Sequence, residues 1–322
     1  MKARFLIRRL LHATLLLVAI SLFSFALAQL APGDFFDQMR MNPRVSAQTV
    51  EGLRSEYGLD RSFPVRYGLW LRSALHGQFG ISLAYNTPVG ALLFPRALNT
   101  LLLTATSTAL AWLLAIPIGV WSATNRTKFS RRSSDLATST LLTIPDLLLF
   151  LCMLLFAVRT GWFPSGGMYS VEHESNGLLQ KTRDIAWHLF LPSLALALAT
   201  LPALVRHVRA AMIEVLESPF IRAARSHGIR HSRLLFRFAL PVAANPLISL
   251  FGFSVATMLS SSLLLEVILS WPGLGPLLVE ATLNKDVYIV VGTVMLSALF
   301  LVAGNLLADL LLFAADPRIR VE

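Results

Sequence analysis

The sequence predicts an all-α membrane protein with six transmembrane helices, both termini cytoplasmic, a charge-rich cytoplasmic loop and a long first external loop. Three observations carry this. The 322 residues are 55% hydrophobic and 14% charged, with mean hydropathy +0.64, against about 25% charged residues in an ordinary globular domain. Six apolar stretches, 11–30, 97–125, 136–158, 185–205, 238–265 and 287–308 (the last running on toward Ala315), each meet the length of about 20 residues that a helix needs to cross the hydrocarbon core. Of the 28 Lys and Arg, 17 fall in the segments on the same side of these spans as the N-terminus, which makes that side the cytoplasmic one. With acidic residues included, the inside segments carry +12 and the outside segments +1. The net charge of +10 therefore sits beside span ends and does not signal nucleic acid.

The first span follows Lys2, Arg4, Arg8 and Arg9. Its end, Ala26-Leu27-Ala28, would suit a signal peptidase and leave five spans. The charge-free run from Leu10 to Ala31 is long for a signal sequence and favours a retained helix. Residues 31–96 then form an external loop in which Ser46 caps a short helix ended by Gly58, and Pro64 opens another that stops at Gly77. A loop of this length is a lid or a docking surface rather than a connector.

Span three contains Pro145-Asp146, an ionisable group at membrane depth and a candidate for the translocation path. Ser260 and Ser261 in span five, and Glu266 at its end, complete the set of path candidates. Small hydroxyl residues also serve helix packing, and Glu266 falls where an interfacial position is expected. In the second external loop Trp162 precedes Phe163-Pro164 and reads as an interfacial anchor. In the third, Trp271-Pro272-Gly273-Leu274-Gly275 reads as a surface or re-entrant turn, followed by an amphipathic stretch from Pro276 to Leu283.

Residues 214–233, EVLESPFIRAARSHGIRHSR, are the most informative segment. A plain turn between spans four and five does not need twenty charge-rich residues. A segment that folds as short helices and docks on a soluble partner does. Small Ala223 and Ala224 let such a helix approach a groove closely, and Gly228 permits a sharp exit.

From about residue 6 to 320 the chain resembles ABC-importer permeases of the dipeptide/oligopeptide/nickel type. The landmarks are Leu30-Ala31-Pro32-Gly33-Asp34, Tyr57-Gly58-Leu59-Asp60, Gln78-Phe79-Gly80-Ile81-Ser82, Asn99-Thr100, Ile116-Pro117-Ile118-Gly119-Val120 and Ser270-Trp271-Pro272-Gly273-Leu274-Gly275. The tail adds Asp316-Pro317-Arg318. Residues 206–237 resemble the family's EAA loop, with Arg222-Ala223-Ala224-Arg225-Ser226-His227-Gly228 at its centre. Pro219, Phe238 and Pro241-Val242 depart from the family pattern at the loop's exit. The resemblance implies that Glu214, Glu217, Phe220, Arg222, Ala223, Ala224 and Gly228 couple to an ATPase. It also implies the division into 1–30, 31–96 and a five-helix core 97–320, and a place in the bacterial inner membrane.

The partners it implies are a homologous second permease, two ABC ATPase subunits and an external solute-binding protein. ATP and Mg would be bound by the ATPases, because this chain lacks any Gly-Lys pair and hence a phosphate-cradling loop. No catalytic or metal set stands out. His173-Glu174 lacks the second His of a zinc motif, and Cys152 is the only cysteine. A stand-alone secondary transporter or channel is the alternative, against which stands the want of paired broken helices in matching halves. An intramembrane enzyme lacks its residues.

Overall fold

The computed structural model describes residues 3–30, 33, 35–36, 40, 46–56, 58, 60–125, 136, 138–175 and 177–315. The expectations for Ala31, Pro32 and Asp34, for the basic residues 126–132 and for the tail 316–320 lie outside the described residues. The described chain is helical, with a single isolated bridge, Ile81 to Pro88, and no sheet among the described residues.

The helices are α1 (Ala3–Leu30), α2 (Ala47–Glu56), α3 (Phe63–Ala74), α4 (Val89–Thr124), α5 (Asp146–Thr160), α6 (Leu178–Leu216), α7 (Pro219–Ser226), α8 (His231–Ile268), α9 (Leu274–Leu283) and α10 (Val287–Ala315). Among the described residues, five are long and apolar enough to cross a membrane: those containing Ile7–Ala28, Val89–Thr124, Leu178–Leu216, His231–Ile268 and Val287–Ala314. The stretch expected as span three is interrupted. Helical residues 138–143 end at Ile144, and α5 begins afresh at Asp146. Pro145 lacks an N–H and disfavours helical backbone at the residue before it, so the break falls where the sequence puts the proline.

Two compact units make up the chain. One comprises Thr100–Trp271 with the chain from Leu301, the other Ala3–Asn99 with Pro272–Phe300. In the first, α6, α8 and α5 pack around a core that includes Phe150, Leu196, Val205, Met212 and Met258, all buried. Close helix approach depends on missing side chains. A Cβ on Gly119 would lie 2.6 Å from Val208, so α4 and α6 touch backbone to side chain there. α6 is 39 residues long, about 58 Å of helix at 1.5 Å per residue. That exceeds a hydrocarbon core of about 30 Å, so α6 is longer than a membrane crossing requires.

In the second unit, α3 lies against α1 through aromatic contacts. Phe25 is fully buried and meets Phe63, Tyr67 and Trp70 at ring distances of 5.9, 5.7 and 5.9 Å. Ser21 Oγ and the Tyr67 hydroxyl are 2.9 Å apart, and Trp70 Nε1 donates to Phe79 O at 3.2 Å. The expected short helices both form. Thr49 N donates to Ser46 Oγ at 3.1 Å to open α2, Gly58 follows it at φ +67°, Pro64 lies in the first turn of α3 and Gly77 follows at φ +77°.

The region expected as a turn from Trp271 to Gly275 is only partly one. Ser270 takes φ +52°, Trp271 is fully buried and Gly273 forms the N-cap of α9. Leu274 and Gly275 already belong to that helix. A proline within the first turn of a helix costs no hydrogen bond, which is why Pro276 does not prevent it.

Candidate functional site

The charge-rich segment folds as a short helix pinned on one side. Ser218, in extended backbone, is the N-cap of α7 and Pro219 opens it, the position where a missing N–H costs nothing. At the other end Gly228 takes φ +74°, Gly228 N donates to Arg225 O at 3.0 Å and Ile229 N to Ala224 O at 3.4 Å. This pair of bonds is a Schellman cap, and it turns the chain sharply out of the helix.

Ile221 anchors α7. It is fully buried in the cluster of Val208, Met212, Leu234 and Leu235, and Ala224 and Ile229 pack on the same cluster half-buried. Phe220 is 44% exposed, and Arg222, Ala223, Arg225 and His227 are also outward. Glu214, in the last turns of α6, and Glu217, at its C-cap, are exposed too. A mixed apolar and cationic face is thus presented on a helix whose other face is fixed. No atom of the described chain lies within 4 Å of a Cβ built on Gly228, so its glycine is required by backbone conformation and not by crowding within the chain. Sequence reasoning missed Ile221, although it is the one large aliphatic residue of α7.

Directly after this segment α8 begins irregularly. Leu234–Ala239 is a π-helix, closed by Leu240 N donating to Leu235 O. Pro241 follows, and its missing N–H cannot satisfy the carbonyl of Arg237 in a regular α-turn. The wide turn lies where that carbonyl loses its donor, and such insertions recur at functional sites. Leu234, Leu235 and Ala239 are buried, and the π-turn packs on α7 and α6. A polar cavity of about 560 Å³ adjoins, lined by Ser122, Asn125, Glu217, Arg225 and His231 among others.

Of the path candidates, the structure brings two together. Ser261 Oγ donates to Asp146 Oδ2 at 2.7 Å, tying α8 to the first turn of α5. Ser260 is exposed, with its hydroxyl on Ala256 O at 3.2 Å. Glu266, near the end of the fifth expected span, is completely buried beside Leu265. Helix α8 runs on to Ile268 and carries it inward.

Two further clusters were not anticipated. Asp184 Oδ2 accepts Ser170 N at 3.0 Å and lies 2.8 Å from His173 Nδ1, while His188 Nδ1 is 3.2 Å from Oδ1. Only the i, i+4 spacing of Asp184 and His188 was readable in advance. In the other unit the Asp286 carboxylate binds Ser82. No group of three metal-ligating residues occurs among the described residues.

Residues 115–321 match the family described as binding-protein-dependent transport system inner membrane component, and residues 2–92 match that system's N-terminal membrane component. The chain belongs to this family. The oligopeptide transport system permease protein AppB of Bacillus subtilis is 36% identical over 98% of this chain and 99% of its own length. The glutathione transport system permease protein GsiC of Salmonella paratyphi A is 31% identical over 96% and 95%. OppB, the oligopeptide transport system permease protein of Mycobacterium bovis, is 30% identical over 99% of each. Inward-facing structures of the MetNI methionine ABC transporter share the fold, with TM-score 0.51 and 21% identity over 71% of this chain and 95% of theirs.

The expected kinship with ABC-importer permeases of the peptide and oligopeptide type is borne out, as is the bacterial inner membrane as location. The family is one of transporter permeases, not nucleotide-binding enzymes. In this family member two of the sequence departures acquire reasons. Pro219 opens α7 rather than interrupting it, and Pro241 follows the π-turn.

Proposed function

We propose that this permease is one subunit of an ATP-driven importer for peptides or similar small solutes. It pairs with a homologous second permease, rests on two ATPase subunits that bind ATP and Mg, and receives solute from an external binding protein. The chain crosses the membrane six times with both termini in the cytoplasm, residues 136–158 forming the third crossing despite the break at Pro145.

One observation carries the coupling role. α7 is locked to the core by Ile221 and a Schellman cap while Phe220, Arg222 and Ala223 face outward. A helix held this way moves with the helices beneath it. Closure of the ATPases on residues 214–233 thus tilts α6 and α8 together and alternates access to a path in which Asp146, Ser260 and Ser261 are the polar candidates. Relatives named for oligopeptide and glutathione transport support the solute class.

Two measurements test this. Affinity purification of the full chain should bring down ATPase subunits, and Ala224→Glu should leave insertion normal while abolishing solute-stimulated ATP hydrolysis. For topology, a Cys152→Ser background removes the exposed native thiol. Cysteines at 46, 175 and 284 should then label from outside, and one at 232 only from inside. External labelling at 232 would sink the coupling role.

A further inference from the structure

An open pocket of about 270 Å³ in the unit containing α1 and α3 is lined by Arg61, Arg66, Leu69, Trp70, Ile81 and Tyr288 among others. Its charge is one-sided. Arg66 places its guanidinium 5.8 Å above the Phe25 ring, with Nε buried and without a hydrogen-bond partner. Arg61 lies over Gly58, where a Cβ would be 3.4 Å from its Nε. Neither arginine forms an ion pair among the described residues, and the nearby Asp60 lies 3.9 Å from Arg54 Nε. The first turn of α3 holds no acidic residue, so the helix end adds to the positive potential.

Depth and polarity define the ligand. α3 rests on α1 at Ser21 and Phe25, toward the end of the apolar run Ile7–Ala28. It therefore lies at the boundary between hydrocarbon and water. Val65 (49%), Leu69 (46%) and Leu75 (80%) are exposed on it, an apolar side suited to lipid, with Arg72 in its last turn. The pocket combines the same two characters, with Arg61 and Arg66 lining it together with the exposed Leu69 and Ile81. A soluble carboxylate would have no use for that apolar edge. We propose that this pocket holds the headgroup phosphate of an anionic phospholipid between Arg61 and Arg66, with an acyl chain along Leu69 and Ile81. The assignment does not depend on the coupling role of α7 or on which leaflet α3 faces.

The full chain in detergent, titrated with phosphatidylglycerol or with phosphatidylcholine of the same acyl chains and read by native mass spectrometry, tests it. Phosphatidylglycerol should bind about thirtyfold more tightly, as expected for two basic groups near an anionic surface. Arg61→Gln/Arg66→Gln should remove that preference, and Arg61→Gln alone, an exposed change that leaves folding intact, should reduce it about fivefold. Arg159→Gln, at the end of α5, should keep it. Equal binding of the two lipids, or an unchanged preference in the double variant, overturns the proposal. So does displacement of phosphatidylglycerol by excess glutarate, which would reassign the pocket to a soluble carboxylate.

Discussion

The Asp286 carboxylate accepts the Ser82 hydroxyl at 2.6 Å, joining two fully buried residues 204 positions apart. The same oxygen accepts Ala84 N at 3.1 Å, and the other accepts Ile289 N at 3.4 Å in the first turn of α10. Asp286 thus caps α10 and holds the loop after Gly80. Asp286→Ala removes the cap and leaves the Ser82 hydroxyl and Ala84 N–H without their acceptor. It should destabilise the protein by roughly 2–4 kcal/mol, and Asp286→Asn, which still caps, by less. Thermal unfolding of the purified protein measures both, and equal losses would show that the cap contributes nothing.

Tyr85 makes the second link between these segments, donating its hydroxyl to Glu280 Oε2 at 2.5 Å. That hydrogen bond raises the phenol above its usual value of 10.0; burial and the charge of Glu280 act the same way, against Arg96. A group whose pKa is raised by folding contributes its stability fully below the unfolded value and loses it as pH climbs through the folded one. The difference in melting temperature between the parent and Tyr85→Phe should therefore be flat near pH 8 and shrink above about pH 10. A difference that grows with alkalinity would contradict the assignment.

The π-turn at Leu234–Ala239 predicts a register effect. Restoring a donor with Pro241→Ala lets a regular α-turn compete, and closing the bulge rotates the preceding helix by about one residue, or ~100°. Leu234 and Leu235 would then leave their buried positions beside α7. The variant should insert normally yet couple ATP hydrolysis to solute poorly. Unchanged solute-stimulated hydrolysis would mean that the π-turn is a passive accommodation of proline.

Residues that act through local backbone rules were legible beforehand. Ser46, Gly58, Pro64 and Gly77 bound their helices as expected because capping and positive φ depend on a few adjacent residues. Residues 136–158 read as one span in the sequence, although Pro145 within it is where the helix stops and α5 begins afresh. The pairing of Ser82 with Asp286, and of Asp146 with Ser261, was not legible. No periodicity relates positions separated by 204 or 115 residues. The full burial of Glu266 was not legible for the same reason, because burial depends on which distant segments pack on it and not on its distance from the span's end.

The last prediction separates two reasons for the glycine that ends α7. If Gly228 were needed for space, any side chain would fail there, but the room around it is open and only its φ of +74° is unusual. Asparagine tolerates that conformation and β-branched residues do not. Gly228→Asn should therefore retain most solute-stimulated ATP hydrolysis, whereas Gly228→Val incurs about 1–2 kcal/mol or more of backbone strain and unwinds the cap. Ile221→Ala attacks the same helix from its buried face and should cost about 2–5 kcal/mol of local packing. Ile221→Ala and Gly228→Val should then fail alike in coupling, with ATPase subunits still attached through the exposed face. Should Gly228→Asn fail as badly as Gly228→Val, the partner must press on this position, and crowding across the interface rather than backbone conformation is what the glycine serves.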